Sequence, residues 1–269
     1  MMFRKHLAFL KKELLIESSY KLAFIFNIFS VLTSVLVYFF IDKLFGQRIS
    51  GHLEEFGTNY FSYVLLGMAF FSYIGSGLGS FSGRIQSEQI HGTLEAVLVT
   101  PIKISTILFS MALWNMIFAT LDLTIYISLG IFLFKVPFSN INAWSALITL
   151  ALTITSFSAL GILSASFTLI FKRGNPMSWV INNLEGLIGG VYFPITVMPY
   201  WLQFLAKLFP ITYSIRAIEL AVYKGFSLIQ LKNEITYLAL FSLLLVPLSL
   251  ATFKYALKKA RWQGTLGQY

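Results

Sequence analysis

The sequence contains no cysteine and only three histidines among its 269 residues. Without cysteine the chain has no disulfide, no thiolate metal site and no cysteine nucleophile, and three scattered histidines offer little to a metal centre. The motifs H-E-x-x-H and G-x-S-x-G are absent as well, and no two aspartates stand at helical spacing. We therefore predict no metal site and no catalytic residues.

Charged residues are also scarce: 12% of the residues are charged and 57% are hydrophobic, with a mean hydropathy of +0.76. These values lie far outside the range of soluble globular domains and indicate an integral membrane protein. The formal net charge of +9 is typical of a membrane protein whose lysines and arginines gather beside anionic lipid on the cytoplasmic side. We expect contact with membrane lipids and no nucleic-acid partner.

Apolar stretches of about twenty residues cross a bilayer as helices. Six occur, at residues 22–41, 60–80, 104–134, 144–171, 177–193 and 235–257. The first has no small-residue cleavage site behind it and is interpreted as a retained helix. Most lysines and arginines fall on one side of this topology, whereas the short loops opposite hold only Lys43, Arg48 and Lys135. The predicted fold class is an all-α membrane protein with six transmembrane helices and both termini in the cytoplasm.

Residues 1–21 place Phe3, Leu7, Leu10 and Leu14 on one helical face, with basic side chains elsewhere. This pattern predicts an amphipathic helix on the cytoplasmic leaflet, either a simple anchor or a contact for a partner. We therefore divide the chain into an N-terminal interfacial helix, residues 1–21, and a transmembrane domain, residues 22–269.

The segment 194–226 lies before the last span and does not fit the simple topology. Pro194, Pro199 and Pro210 each interrupt a helix, which predicts two pieces of about eleven residues, too short to cross a membrane. The pieces form either a re-entrant hairpin that enters from outside and is shielded by the bundle, or an amphipathic cap on the outer surface. Aromatic residues of the segment suit the cap as interfacial anchors: Trp201, Tyr213 and Tyr223.

The segment 83–103, "GRIQSEQIHGTLEAVLVTPIK", is predicted to lie in the cytoplasm. It has an apolar side, while Glu88 and Glu95 are available to face water. Gly92 interrupts the helical pattern, and Pro101 stops it before the third span. The pattern is typical of a short helix that docks into a groove on another protein, or of an ordinary loop whose charges stay solvated.

The stretch "SEQIHGTLEAVLVTPI" resembles the signature of ABC-2 type permeases, the membrane subunits of a class of ATP-binding-cassette exporters. "GLIGGVYFPITVMPYWLQFLAKLFPITY" is similar to a second stretch of the same family, in the same order along the chain. The resemblance implies a cytoplasmic coupling helix that docks on the ATPase subunit, with these residues: Glu88, His91, Gly92, Thr93, Leu94, Glu95 and Pro101. It also implies extracellular re-entrant helices near an outer gate, which would use Pro194, Pro199, Trp201, Pro210 and Tyr213.

The chain contains no motif that binds a nucleotide. No G-x-x-x-x-G-K-[ST] loop occurs, and the glycine run at residues 75–80 lacks the lysine that reaches phosphates. The ATPase is therefore expected on a separate polypeptide that binds ATP and Mg, and no cofactor is expected here. The resemblance implies two copies of the permease with two ATP-binding subunits, and we favour a homodimer over a heterodimer.

Polar or small residues recur at helical spacing on the first span, at Asn27, Ser30, Ser34 and Tyr38, and on the fifth, at Asn182, Glu185, Gly186 and Gly189. In related permeases these two spans line the translocation path. The alternative is helix packing, because small residues let backbones approach and polar ones hydrogen-bond between helices.

Two carboxylates fall within predicted spans, Asp122 in the third and Glu185 in the fifth. A charge at a helix centre costs about 2.5–3.5 kcal/mol on insertion scales. Three interpretations stay open: hydrogen bonding to neighbours such as Thr120, Thr124, Asn182 or Asn183, contact with the substrate, and proton coupling in a secondary transporter.

The substrate is the least determined property. Aromatic residues make up 17% of the chain, which favours a compound with a hydrophobic portion. We expect export of a drug or lipid from the cytoplasm or inner leaflet, with a lipid-linked polysaccharide as the alternative. A six-span subunit without its own ATPase points to the plasma (inner) membrane of a bacterium or archaeon.

Overall fold

A computed structural model describes residues 10–12, 14–15, 19–90, 104–138, 140–171 and 186–263. Within these ranges the secondary structure is helical, with no strand. The helices are α1 (Lys21–Ile49), α2 (Tyr60–Ile90), α3 (Ile104–Ser128), α4 (Ala143–Phe171), α5 (Tyr200–Ala206), α6 (Pro210–Tyr223) and α7 (Lys232–Trp262). Short 3₁₀ turns cover Ser50–Leu53 and Ile195–Val197, and α3 continues into a π-helical turn, Leu129–Leu133.

Four of the described helices are long and apolar enough to cross a membrane: Phe24–Leu53, Met116–Leu133, Ala143–Phe171 and Lys232–Trp262. They correspond to the first, third, fourth and last predicted spans. The apolar part of α2 is shorter, Tyr60–Gly75, and most of the fifth predicted span lies outside the described residues. The number six therefore stays a prediction.

Several helices extend beyond the apolar stretches that predicted them. Helix α2 runs to Ile90, so it includes the first eight residues of the segment 83–103. Helix α1 continues to Ile49 and α7 to Trp262. The predicted end of the fifth span at Phe193 is wrong, since helical structure ends at Ile188. Gly190 has a φ of 87°, a left-handed conformation that commonly terminates a helix.

Asparagine side chains cap the N-terminal ends of two long helices, α2 and α4. The Asn59 Oδ1 accepts a hydrogen bond from the Ser62 amide at 2.8 Å, and the Asn142 Oδ1 accepts one from the Ser145 amide at 3.2 Å. Each bond satisfies an amide that has no partner within the first helical turn. The loops before α2 and α4 thereby fix where these helices start.

Helix α2 lies at the centre of the bundle and packs against α3 and α4, while α7 packs most extensively on α4. Phe61, Val64 and Phe70 of α2 belong to a core that also contains Ile211 and Ile215 of α6. A second apolar cluster at the other end of the bundle joins α2 and α3 to α4 and α7.

Buried hydroxyl groups line one side of α4 and bind its neighbours. The Thr153 Oγ1 donates to the Ser214 Oγ of α6 at 2.9 Å. Ser156 and Ser242 of α7 are joined by a hydrogen bond of 2.8 Å. Small hydroxyl side chains let helices approach closely and bond across their interface in a membrane. They explain why α4, α6 and α7 pack tightly without large apolar residues at these positions.

The prolines of the segment 194–226 divide it, as predicted, but into unequal helices. Helix α5 has 7 residues and α6 has 14. The prediction of two pieces of about equal length is therefore wrong. Pro210 is the first residue of α6, and Phe209 before it is extended. A residue that precedes proline is disfavoured in helical conformation, which ends α5 early. Both helices are too short to cross a bilayer.

Candidate functional site

A groove of about 850 Å³ separates α1 from α3 and reaches Leu14 in the segment before α1. Most of its lining is apolar or aromatic: Leu14, Tyr20, Phe24, Ile25, Trp114, Ile117, Phe118 and Leu121. Lys21, Asn27 and Asp122 complete it. The groove therefore combines a long apolar wall with a small number of polar groups, as binding sites for small molecules do.

Asp122 of α3 and Asn27 of α1 form the polar centre of this groove. The Asn27 Nδ2 donates to the Asp122 Oδ1 at 2.9 Å, and Asp122 is 7% exposed. The threonines proposed as its partners bond elsewhere, since Thr120 donates to the Met116 carbonyl and Thr124 to the Thr120 carbonyl. That part of the prediction is wrong, because a threonine in a helix bonds the carbonyl one turn earlier.

The other predicted path residues of α1 are spread along the helix. Ser30 is exposed, Ser34 is partly buried, and the Tyr38 ring stacks on that of Tyr192 at 5.4 Å between centroids. The structure thus brings Asn27 to Asp122, and Tyr38 to Tyr192 near the end of the fifth predicted span. Whether these residues line a path stays a prediction.

The fifth predicted span contributes Gly186 and Gly189 to the described residues, while Asn182 and Glu185 lie outside them. Both glycines are buried. A Cβ atom at Gly186 would lie 2.9 Å from the tip of the Phe71 ring in α2. This close approach supports a packing role for Gly186.

The proposed gate residues lie around α5 and α6. Pro194 precedes the 3₁₀ turn, Pro199 precedes α5 and Pro210 begins α6. Trp201 is 66% exposed. The Tyr213 hydroxyl donates to the Lys207 carbonyl at 3.0 Å, and its ring stacks on that of Tyr237. Helix α5 therefore presents aromatic surface, whereas nearly all of α6 is buried.

Two tyrosine hydroxyls bond α2 to the chain around α5 and α6. Tyr63 donates to the Gly190 carbonyl, and Tyr223 of α6 donates to the Ser62 carbonyl at 2.7 Å. Gly67 of α2 lies directly against the Val191 carbonyl, where a Cβ atom would have no space. The N-terminal half of α2 is therefore bonded to the chain on both sides of α5.

Arg216 joins α6 to two other parts of the chain. Its guanidinium forms ion pairs with Glu55 of the α1–α2 loop and with Glu234 of α7, the latter at 3.0 Å. The Lys224 amine donates to the Glu54 carbonyl at 3.2 Å. These contacts explain why cationic residues occur in a segment that did not follow the simple charge pattern.

Glu219 is a functional candidate that the sequence reasoning missed. Its side chain is fully buried in α6, and neither carboxyl oxygen has a hydrogen-bond partner among the described residues. Burial raises the pKa of Glu219 well above its ordinary value of 4.5. Burial also raises the pKa of Tyr223, and the nearby Glu219 adds to this effect. The available signal was the run of apolar residues on both sides of Glu219.

Of the proposed coupling residues, Glu88 lies within the described part of the chain. His91, Gly92, Thr93, Leu94, Glu95 and Pro101 lie outside it. The Lys12 amine forms an ion pair with the Glu88 carboxylate at 3.4 Å. Lys12 of the N-terminal segment thus contacts the end of α2, within the first residues of the family signature.

The helical bundle, its apolar groove and the signature segment define a membrane transport component. The model of the family "ABC-2 type transporter" matches residues 7–223. The chain therefore belongs to the ABC-2 type transporter family, and this membership implies an ATP-binding cassette partner.

Individual relatives have low sequence identity to this chain. "Inner membrane transport permease YadH" of Escherichia coli (strain K12) is 26% identical over 186 residues, 69% of this chain and 70% of that protein. A protein of the same name from Shigella flexneri matches over the same shares with the same identity. "Probable multidrug ABC transporter permease YbhR" of Escherichia coli (strain K12) is 26% identical over 175 residues, 64% of this chain and 45% of that protein. These relatives and the apolar helices support a bacterial inner membrane location.

Proposed function

We propose that the chain is the permease subunit of an ATP-driven exporter that moves a hydrophobic or amphipathic compound, a drug or lipid, out of the cytoplasm or inner leaflet. The observation that carries this proposal is the groove between α1 and α3. Its apolar wall suits the hydrophobic part of such a compound, and the Asn27–Asp122 pair suits a polar part. The name of one relative as a probable multidrug permease supports the same substrate class.

The complete transporter would contain two copies of this chain and two ATP-binding subunits, with ATP and Mg held by the latter. The extensive exposure of α1 supports a second copy beside it. Phe24, Phe26 and Phe29 of α1 are each more than 40% exposed, and α1 packs mainly on α2. A homodimer is the simpler arrangement, because it requires only one kind of permease chain.

Helix α2 is suited to carry movement from the ATPase to the outer gate. Its 31 residues span about 46 Å at 1.5 Å per residue. Glu88 near one end binds the N-terminal helix, and Tyr63 near the other binds the Gly190 carbonyl. ATP binding would shift the equilibrium only if the signature segment contacts the ATPase differently in the two states. A continuous helix would then displace both ends together.

Co-purification with the candidate ATP-binding subunit tests the proposal. We expect wild type to recruit the ATPase, and Glu95→Arg or Glu88→Arg to weaken assembly or to uncouple the ATPase rate from transport. The double variant Lys12→Glu, Glu88→Lys restores opposite charges at their contact and is expected to recover part of the loss. Glu54→Arg changes an exposed carboxylate on the predicted outer side and serves as control.

A permease that stays alone in all variants, yet accumulates substrate in response to a proton gradient, would contradict the proposal. That result would favour a proton-coupled secondary transporter that uses Asp122 and Glu185. Transport of a lipid-linked polysaccharide by the assembled complex would keep the ATP-driven mechanism and change the substrate.

A further inference from the structure

The groove between α1 and α3 contains one acidic side chain, Asp122, among its described lining residues. No lysine, arginine or histidine forms an ion pair with Asp122 within the described ranges, and its hydrogen-bond partner there is the neutral amide of Asn27. A buried carboxylate without a countercharge is unfavourable in an apolar environment. A bound cation would supply that charge.

Aromatic side chains line the same groove as Asp122. Phe24, Trp114 and Phe118 line the groove together with Asp122, and aromatic faces attract cations that lie within about 6 Å of the ring centre. The aliphatic side chains Ile117 and Leu121 offer the remaining wall to an apolar body. An anion in the same position would face the carboxylate and gain no compensating charge.

Lys21 is the one basic residue among the described lining residues. It is the first residue of α1 and is exposed. It lies six positions before Asn27, a rise of about 9 Å along the helix axis. A long lysine side chain at a helix end extends its amine toward the polar surface, so Lys21 leaves the centre of the groove to Asp122.

We propose that this groove binds lipophilic cations, with Asp122 as their counter-ion and the aromatic rings as their walls. The proposal rests on the proposed function, because it names the charge of the exported compound. Binding itself requires neither the ATPase nor transport, so the two proposals can fail separately.

The test compares two probes of the same shape and opposite charge, tetraphenylphosphonium and tetraphenylborate. Binding of each is measured to the full-length permease in nanodiscs of phosphatidylcholine, without an ATPase, after subtraction of binding to protein-free discs. We expect wild type to bind the cation about tenfold more tightly than the anion, the effect of one interaction with a charged group. Asp122→Asn, which keeps the shape of the side chain, should remove this preference.

Two further variants keep the test decisive. Asp42→Asn changes an aspartate outside the groove, whose Oδ1 accepts the Phe61 amide, and should retain the preference. Lys21→Gln removes a like charge and should strengthen binding of tetraphenylphosphonium, even if Asp122→Asn fails to fold. Equal affinities of wild type for both probes would overturn the proposal, as would a preference that survives in a folded Asp122→Asn variant.

The outcome also separates the two proposals. Asp122-dependent cation binding by a permease that never recruits an ATPase would keep this inference and refute the ATP-driven mechanism. An assembled, ATP-hydrolysing complex without a charge preference would do the reverse.

Discussion

The buried carboxyl of Glu219 predicts how the free energy of unfolding depends on pH. The carboxyl is fully buried in α6, and its oxygens have no hydrogen-bond partner within the described residues. Because burial disfavours the charged form, its pKa lies well above the ordinary value. The perturbation we choose is Glu219→Gln, which keeps the size of the side chain and removes its titration.

The sign of the pH dependence follows from proton binding. A carboxyl with a raised pKa keeps its proton in the folded state at pH values where the unfolded state has lost it. The unfolded state then binds fewer protons, so the free energy of unfolding falls as pH rises. The fall begins near the ordinary pKa of 4.5 and continues until pH reaches the folded-state pKa, with a slope of about 1.4 kcal/mol per pH unit. In the Glu219→Gln variant this fall in the free energy of unfolding should be absent.

The assay is unfolding of the purified permease in detergent, followed by tryptophan fluorescence between about pH 5 and pH 8, where most proteins are stable. Wild type should lose stability with rising pH more steeply than Glu219→Gln. Glu54→Gln, an exposed carboxyl at the same end of the bundle, should keep the wild-type slope. Identical slopes for wild type and Glu219→Gln would refute the reasoning, since Glu219 would then titrate alike in both states.

Two other predictions concern the packing of α2 and the ion pairs of Arg216. Gly67→Ala should destabilise the fold by about 1–3 kcal/mol, as overpacking does, because the added Cβ atom meets the Val191 carbonyl. Gly75 lies in the same helix with open space around it, so Gly75→Ala should be neutral or stabilising. Thermal unfolding measures both. Arg216→Gln should reduce stability by about 0.2–1 kcal/mol for each of two partly exposed ion pairs, and added salt should shrink the difference from wild type. An Arg216→Gln effect that grows with salt, or an equal loss for both glycine variants, would contradict these assignments.

Continuous apolar runs predicted the third and fourth spans within a few residues. The predicted ranges 104–134 and 144–171 compare with Ile104–Leu133 and Ala143–Phe171. Such runs identify membrane helices because each backbone polar group in lipid must bond within its own helix. They do not identify helix ends, since α2 continues through polar residues to Ile90.

The partners of individual polar residues were not predictable from the pattern of one helix. Asn27 and Asp122 lie 95 residues apart, and the periodicity of either helix does not state which neighbour its polar face meets. Glu219 was missed for a similar reason. A glutamate in a short, proline-bounded helix is typical of a water-facing surface, but α2, α4 and α7 surround α6 and bury it.

The contact between Arg216 and Glu55 has a consequence for biogenesis. The two residues are 161 positions apart, and synthesis at about 5–20 residues per second separates their emergence by roughly 10–30 s. During that interval Glu55 of the α1–α2 loop has been synthesised but its cationic partner has not. Glu234 follows later still and completes the pair of carboxylates around the guanidinium. The ion pairs at this end of the bundle therefore require the first residues of α7, and a chain that stops before α7 would lack one of them.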